Sequence, residues 1–215
     1  MGRIIKIVGP KIPSKLEEVD IIDNNLEDEE CFREISFNDC DFYSPRASRV
    51  EFSQCYFKNV NLTDGKLRYI DLMDVVFENC DLSNSDFSNG SIHRVAFINC
   101  KLVGVNFADT SLQNISFKEC NMNYCNIAFA SLKAVEFNSS SINEGSFENS
   151  KLQDTIFANT AMRRIDISKA DVKGVDFTTC DIEGLIGGVK DVYGIVVSPM
   201  QALSLAKILG IIIKD

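Results

Sequence analysis

Eight cysteines and a single histidine are the side chains of this 215-residue chain best suited to hold a metal or attack a substrate. Their spacing argues for neither. Cys40, Cys55, Cys80, Cys100, Cys120, Cys125 and Cys180 all fall at multiples of five, and only Cys31 does not. Thiols held on a fixed register among small and β-branched residues act as small buried hydrophobes. Cys80, Cys100 and Cys120 would stack with parallel side chains, which does not suit a disulfide. There is no CxxC, and His93 stands alone, so neither a metal nor another cofactor is expected and the thiols read as reduced. Phosphate-cradling glycine loops, HExxH and GxSxG are missing too, and His93, which directly follows an inward residue, is expected to face solvent. An enzyme is not indicated.

The register that absorbs the cysteines runs through most of the chain. From Phe52 to Ile182, each of the 27 positions taken five residues apart is Phe, Leu, Ile, Met or Val. Phe32, Phe37 and Phe42 extend the frame upstream, with Ala47 as its weak member, and Leu16, Ile21 and Leu26 form an earlier run one residue out of step. The extra residue points to a bulge near Asp28-Glu29-Glu30. Two positions before each large residue stands a small or β-branched one, and between them most often Asp, Asn or Ser. Helices need apolar residues about 3.6 apart and strands need alternation, so neither fits. Two inward positions in five instead describe a short extended segment and a turn, wound into a coil that stacks at about 4.8 Å. Short polar side chains at the intervening position can bond to backbone at the corners, which gives the many Asp and Asn a local task other than catalysis.

The phenylalanines set the coil length. Phe37, Phe57, Phe77, Phe97, Phe117, Phe137, Phe157 and Phe177 are spaced by 20 residues, so a coil has four faces and one carries a phenylalanine ladder. This pattern resembles the pentapeptide-repeat family, with its A(D/N)LXX unit, and in particular members of the Qnr and MfpA type. The resemblance implies an all-β fold, a right-handed quadrilateral β-helix with a short C-terminal α-helix. It also implies a bacterial cytoplasmic protein.

Three segments follow. Residues 1–13 read as an N-terminal strand or cap over the open coil, residues 14–184 as the β-helix, and residues 185–215 as a linker, helix and tail. The repeat is read as stopping after Glu183. Ser198-Pro199 is a helix start and Gly210 a stop. The helix and β-prone tail supply Leu203, Leu205, Ile208, Leu209, Ile211 and Ile213 as a plug over the last coil; the resemblance implies that they also join two copies into a homodimer. No stretch is long and apolar enough to span a membrane.

With catalysis unsupported, function falls to the surface. The net charge is −9, and residues 15–51 carry twelve acids against four bases. Without a basic stripe, direct nucleic-acid binding is not expected; an acidic surface attracts basic protein grooves. Candidate contact groups are Glu27, Asp28, Glu29 and Glu30 at one end, and Asp166, Asp171, Asp176 and Asp181, one per face of a single coil, at the other. Tyr69, Tyr124 and Phe129 are candidate exposed aromatics. The resemblance implies an acidic rod that mimics DNA and binds a type II topoisomerase such as gyrase, with effects on quinolone sensitivity. The other reading is a scaffold presenting its surface to an unknown protein partner.

Overall fold

The computed structural model describes residues 5–18, 26–42 and 44–214; Ile21, in the early run, and Tyr43 lie outside them. The chain winds as a parallel β-solenoid. After β1 (Glu17–Glu18), its lower coils hold short strands β2 (Cys31–Arg33), β3 (Ile35–Asn38), β4 (Glu51–Ser53) and β5 (Tyr56–Lys58). Higher up, the first and second faces merge into one strand per coil: β6 (Asp71–Glu78), β7 (Ser91–Ile98), β8 (Ser111–Lys118), β9 (Ser131–Asn138) and β10 (Lys151–Ala158). Each pairs in parallel with its equivalent 20 residues on, as Phe97↔Phe117 and Phe117↔Phe137. The third and fourth faces pair through single bridges, such as Asp81↔Lys101 and Asp86↔Asn106.

The axis is filled by the predicted columns. Rings of the phenylalanine ladder on the second face stack with centroids 4.6–5.4 Å apart. Ala47 also points inward, 3% exposed, so the weak member keeps frame. The frame also continues beyond residue 184, where the sequence reading ended it. Ile186 bridges Asp166, Val196 bridges Asp176, and Val192 and Val197 pack on the core. Gly187 interrupts the apolar series, but the backbone hydrogen bonds do not need its side chain, so the coil runs on to Val197.

The small column explains its own composition. At most of its Cys, Ser and Thr positions the Sγ or Oγ donates to the carbonyl of the centre residue 23 positions earlier: Cys80 to Phe57, Cys100 to Phe77, Cys120 to Phe97, Ser140 to Phe117 and Thr160 to Phe137. Small donors are thereby tolerated in an apolar core. Burial pushes the Cys125 thiol up to about 12 and those of Cys55 and Cys180 upward, which keeps them protonated and inert. All eight cysteines are free. Thr155 breaks the rule: among the described residues its Oγ1 alone is a buried side-chain polar atom without a partner. Val135 and Val175 flank it on its ladder. Thr155→Val should therefore raise stability by about 1 kcal/mol in chemical denaturation, whereas Thr160→Val should lower it by about as much.

Corners are made by one residue in the left-handed region, two positions after nearly every centre; Thr179, after Phe177, is an exception. The described chain holds 28 non-glycine residues with positive φ, 13 of them Asn or Asp and none β-branched. Asn and Asp reach this region more readily than other residues with a Cβ, and β-branched side chains clash there.

Both ends depart from expectation. Residues 5–13 do not cover the open coil. They run up the outside, along the corner between the first and second faces, with the Val8 N–H donating to Asn114 Oδ1 and the Lys11 N–H to Asp74 Oδ1. At the other end α1 (Pro199–Leu205) starts from a capping box: Ser198 Oγ accepts from the Gln201 N–H and Gln201 Oε1 accepts from the Ser198 N–H. Gln201 Nε2 donates to the carbonyls of Phe177 and Cys180, capping acceptors of the last coil at 2.8 Å each. A 3-10 turn over Ala206–Leu209 ends at Gly210, whose φ of 71° closes the helix. Residues 211–214 form no strand.

Candidate interaction surface

Asp and Asn one position before the centre point outward, and on the third and fourth faces they accept from the N–H two residues on. Asp81 to Ser83, Asp86 to Ser88, Asn106 to Ala108, Asp166 to Ser168 and Asp181 to Glu183 all do so. This is the local use expected of them, and it orders the outer polar atoms.

The four aspartates of the upper ring lie on four faces, Asp171 on the first, Asp176 on the second, Asp181 on the third and Asp166 on the fourth. Their states differ. Asp181 is paired with Arg163 at 2.5 Å, and this hydrogen bond holds its carboxyl below the usual range. Asp176 is lowered by the Thr178 hydroxyl and N–H. Asp171 is exposed with no side-chain partner among the described residues. At the lower end, Glu27–Glu30 form the turn that absorbs the extra residue. There Asp28 accepts from the Ser48 N–H at 2.7 Å, Glu29 pairs with Arg49 at 2.7 Å, and Glu30 Oε2 caps the Glu27 N–H. Glu27 projects freely into solvent. Part of the acidity thus holds the turn.

The aromatics occupy left-handed corners, which drives their rings outward: Tyr69 is 51% exposed, and Tyr124 and Phe129 are 58% exposed. Tyr124 and Phe129 belong to one coil and flank its fourth face, with Asn126 and Ala128 between them. Tyr69 shares a corner with Phe129 but lies three coils below, about 14 Å away at the sheet spacing, with the Arg68 guanidinium 6.0 Å from its ring centre. Tyr124 opens onto a shallow groove with Glu144, Arg163 and Arg164, where Arg164 pairs with Glu144.

At the C-terminal end the six apolar residues split. Leu205 and Ile208 pack on the core and serve as the plug, so they are not available to a second copy. Leu203, Leu209, Ile211 and Ile213 are 50–55% exposed.

His93 is not the solvent-facing residue its position suggested. It is half-buried beside Arg94 and Asn114 at the corner under the N-terminal segment. Burial and the Arg94 charge lower its pKa, against the pull of Asp74 and Asp71, and favour the neutral ring. Beside it Arg94 grips Asp74 with two bonds of 2.6 Å. Sequence reasoning missed this cluster, whose only signal was a charged pair 20 residues apart on the corner register. Among the described residues no three His, Cys, Asp or Glu side chains converge as metal ligands would. Among the described residues no helix is long and apolar enough to cross a membrane.

Comparison with known proteins bears on the repeat. No curated protein matches the chain. Among solved structures, a trypsin-treated QnrB1, a plasmid-mediated fluoroquinolone resistance protein, is 23% identical over 94% of this chain and 100% of its own, with a TM-score of 0.37. HetL, involved in heterocyst differentiation regulation in the cyanobacterium Nostoc sp. strain PCC 7120, is 13% identical over 74% of this chain and 85% of its own, at 0.33. A pentapeptide repeat protein of the Arabidopsis thaliana thylakoid lumen is 17% identical over 62% and 72%, at 0.36. The family described as "Pentapeptide repeat region" matches residues 70–147, and "Pentapeptide repeats (8 copies)" matches residues 146–184. With the two together covering more than half of the sequence, and with a four-sided coil of 20 residues repeating through it, the chain belongs to the pentapeptide-repeat family.

Proposed function

We propose that the protein is a non-enzymatic interaction rod whose acidic outer surface stands in for duplex DNA on a type II topoisomerase, acting as a homodimer joined at its C-terminal end. The observation that carries this reading is the net charge of −9 on a narrow coil, densest over residues 15–51, which carry twelve acids against four bases. Fixed carboxylates on such a rod complement a basic groove electrostatically. The dimer is supported by Leu203, Leu209, Ile211 and Ile213, which remain exposed beyond the plug.

The test is gyrase supercoiling and quinolone-dependent DNA cleavage with purified protein. Inhibited supercoiling or altered cleavage at low-micromolar dimer supports the reading; unchanged activity in both assays sinks it and favours a scaffold. The dimer has its own check in sizing by light scattering. A Leu209→Asp/Ile213→Asp variant should halve the particle mass without lowering the melting temperature, and an unchanged mass refutes the C-terminal interface.

A further inference from the structure

The outer corner between the first and second faces already holds a peptide. Residues 5–13 lie on it extended, without regular secondary structure. Their anchors are side chains of one corner ladder that hold the arm through its backbone alone. Asn114 Oδ1 accepts from the Val8 N–H at 3.2 Å, Asp74 Oδ1 from the Lys11 N–H at 2.9 Å, and Gln54 Nε2 donates to the Lys11 carbonyl at 3.2 Å. From Val8 to Lys11 an extended chain covers about 10 Å, and from Asn114 to Asp74 the two coils rise by about 9.6 Å. The two repeats match, so an extended chain of three residues per turn, which brings the N–H groups of residues i and i+3 to the same side, meets these acceptors in register.

These anchors are held in place independently of the peptide. Asp74 is gripped by Arg94, and Asn114 Nδ2 lies 3.5 Å from His93 Nε2. Apolar residues edge the track: Met73, Val76 and Ala96 border the corner, and Ile5 lines a crevice with Thr155 and Ile156. Ile5, Ile7, Pro10 and Ile12 are half-buried on this rim while Lys6 and Lys11 project from it. Lys11 adds a favourable charge to Asp74.

We propose that this corner is a docking track for an extended apolar–basic segment of a partner protein, which the chain's own N-terminal arm occupies in cis. Recognition is through main-chain bonds, with side-chain preference set by the apolar rim and the acid beneath it. Such a site is independent of any topoisomerase contact.

The test uses the full chain carrying Val8→Pro and Lys11→Pro, which removes both arm donors and leaves the rod untouched. A fluorescein-labelled synthetic peptide of residues 5–14 is titrated by anisotropy. Saturable binding to the variant is expected, with an apparent affinity at least about tenfold weaker for the unaltered chain, whose tethered arm competes. Adding Asn114→Ala to the variant should weaken binding again. Absence of binding to the variant, or equal affinity for both chains, overturns the proposal. A second measurement needs no variant: in the unaltered protein the Val8 and Lys11 amides should exchange with deuterium at least about tenfold more slowly than the Lys6 amide. Equal rates would overturn it as well.

Discussion

Phe117→Asp is expected to unfold the middle of the rod, while Lys118→Asp next to it should shift the melting temperature by no more than about 2 °C. Phe117 has no exposed surface and its ring stacks at 4.9 Å on both Phe97 and Phe137. Removing a buried phenylalanine costs about 3–5 kcal/mol, and a carboxylate in its place adds several more. That sum rivals the whole stability of an ordinary domain. A solenoid couples each coil mainly to its neighbours, so damage should spread outward from the altered coil. Lys118 is exposed and pairs only with Glu119 at 3.8 Å, a contact of little energetic worth. Circular dichroism and amide exchange of the two variants decide the matter. A folded, protected Phe117→Asp chain would contradict the inward register.

Asp74→Asn is expected to cost about 2 kcal/mol at neutral pH, through loss of the charge that Arg94 is bound to. Both side chains are largely out of water, at 7% and 18% exposure. Asparagine keeps the left-handed corner and an acceptor for the Lys11 N–H, so the change isolates the charge. Burial works against ionisation of this carboxyl, but the Arg94 hydrogen bonds, the Lys11 N–H and the Arg94 charge together hold it below the usual range. The folded pKa is therefore lower than the unfolded value near about 4. Stabilisation from Asp74 is fully present above that value and disappears as pH falls through the lower folded one. In acid titrations followed by melting, the gap between parent and variant should close as pH falls below the unfolded value and through the lower folded one. A gap that persists undiminished there would mean that Arg94 does not depend on the Asp74 charge.

Core and surface were legible to different depths. The inward columns could be read because a coil of fixed length forces every fifth side chain to one environment, and burial tolerates few residue types. Asn, Asp and Ser at the outward position were legible for a similar reason, since on the third and fourth faces most of them satisfy a backbone N–H two residues on. The left-handed corner was present in the sequence as a near-absence of β-branched residues, Thr179 apart, but many polar types satisfy it, so it showed only as an undefined polar pair. His93 was misjudged because its own register points outward, while Arg94 and Asn114 of the corner ladder close on its ring.

The end of the coil shows the same limit. Gly187 breaks the apolar series, yet backbone bridges such as Ile186 to Asp166 carry the coil onward regardless of that side chain. Leu205 and Leu209 looked equivalent on the helix. The tilt at which Gln201 ties it to Phe177 and Cys180 sends one to the core and leaves the other in solvent.

What spacing and residue type decided, then, is the period of twenty, the four faces, the phenylalanine ladder and the burial of Cys55, Cys80, Cys100, Cys120, Cys125 and Cys180 in the small column, because each repeats locally with every turn. The tertiary structure alone decided where residues 5–13 lie. Their anchors, Gln54, Asp74 and Asn114, are 43 to 106 residues away in sequence. Asp74 and Asn114 are brought to a common spacing only by the stacking of coils. A pattern of period five records what each residue faces within its own coil; it holds no information about a segment that crosses the coils from outside.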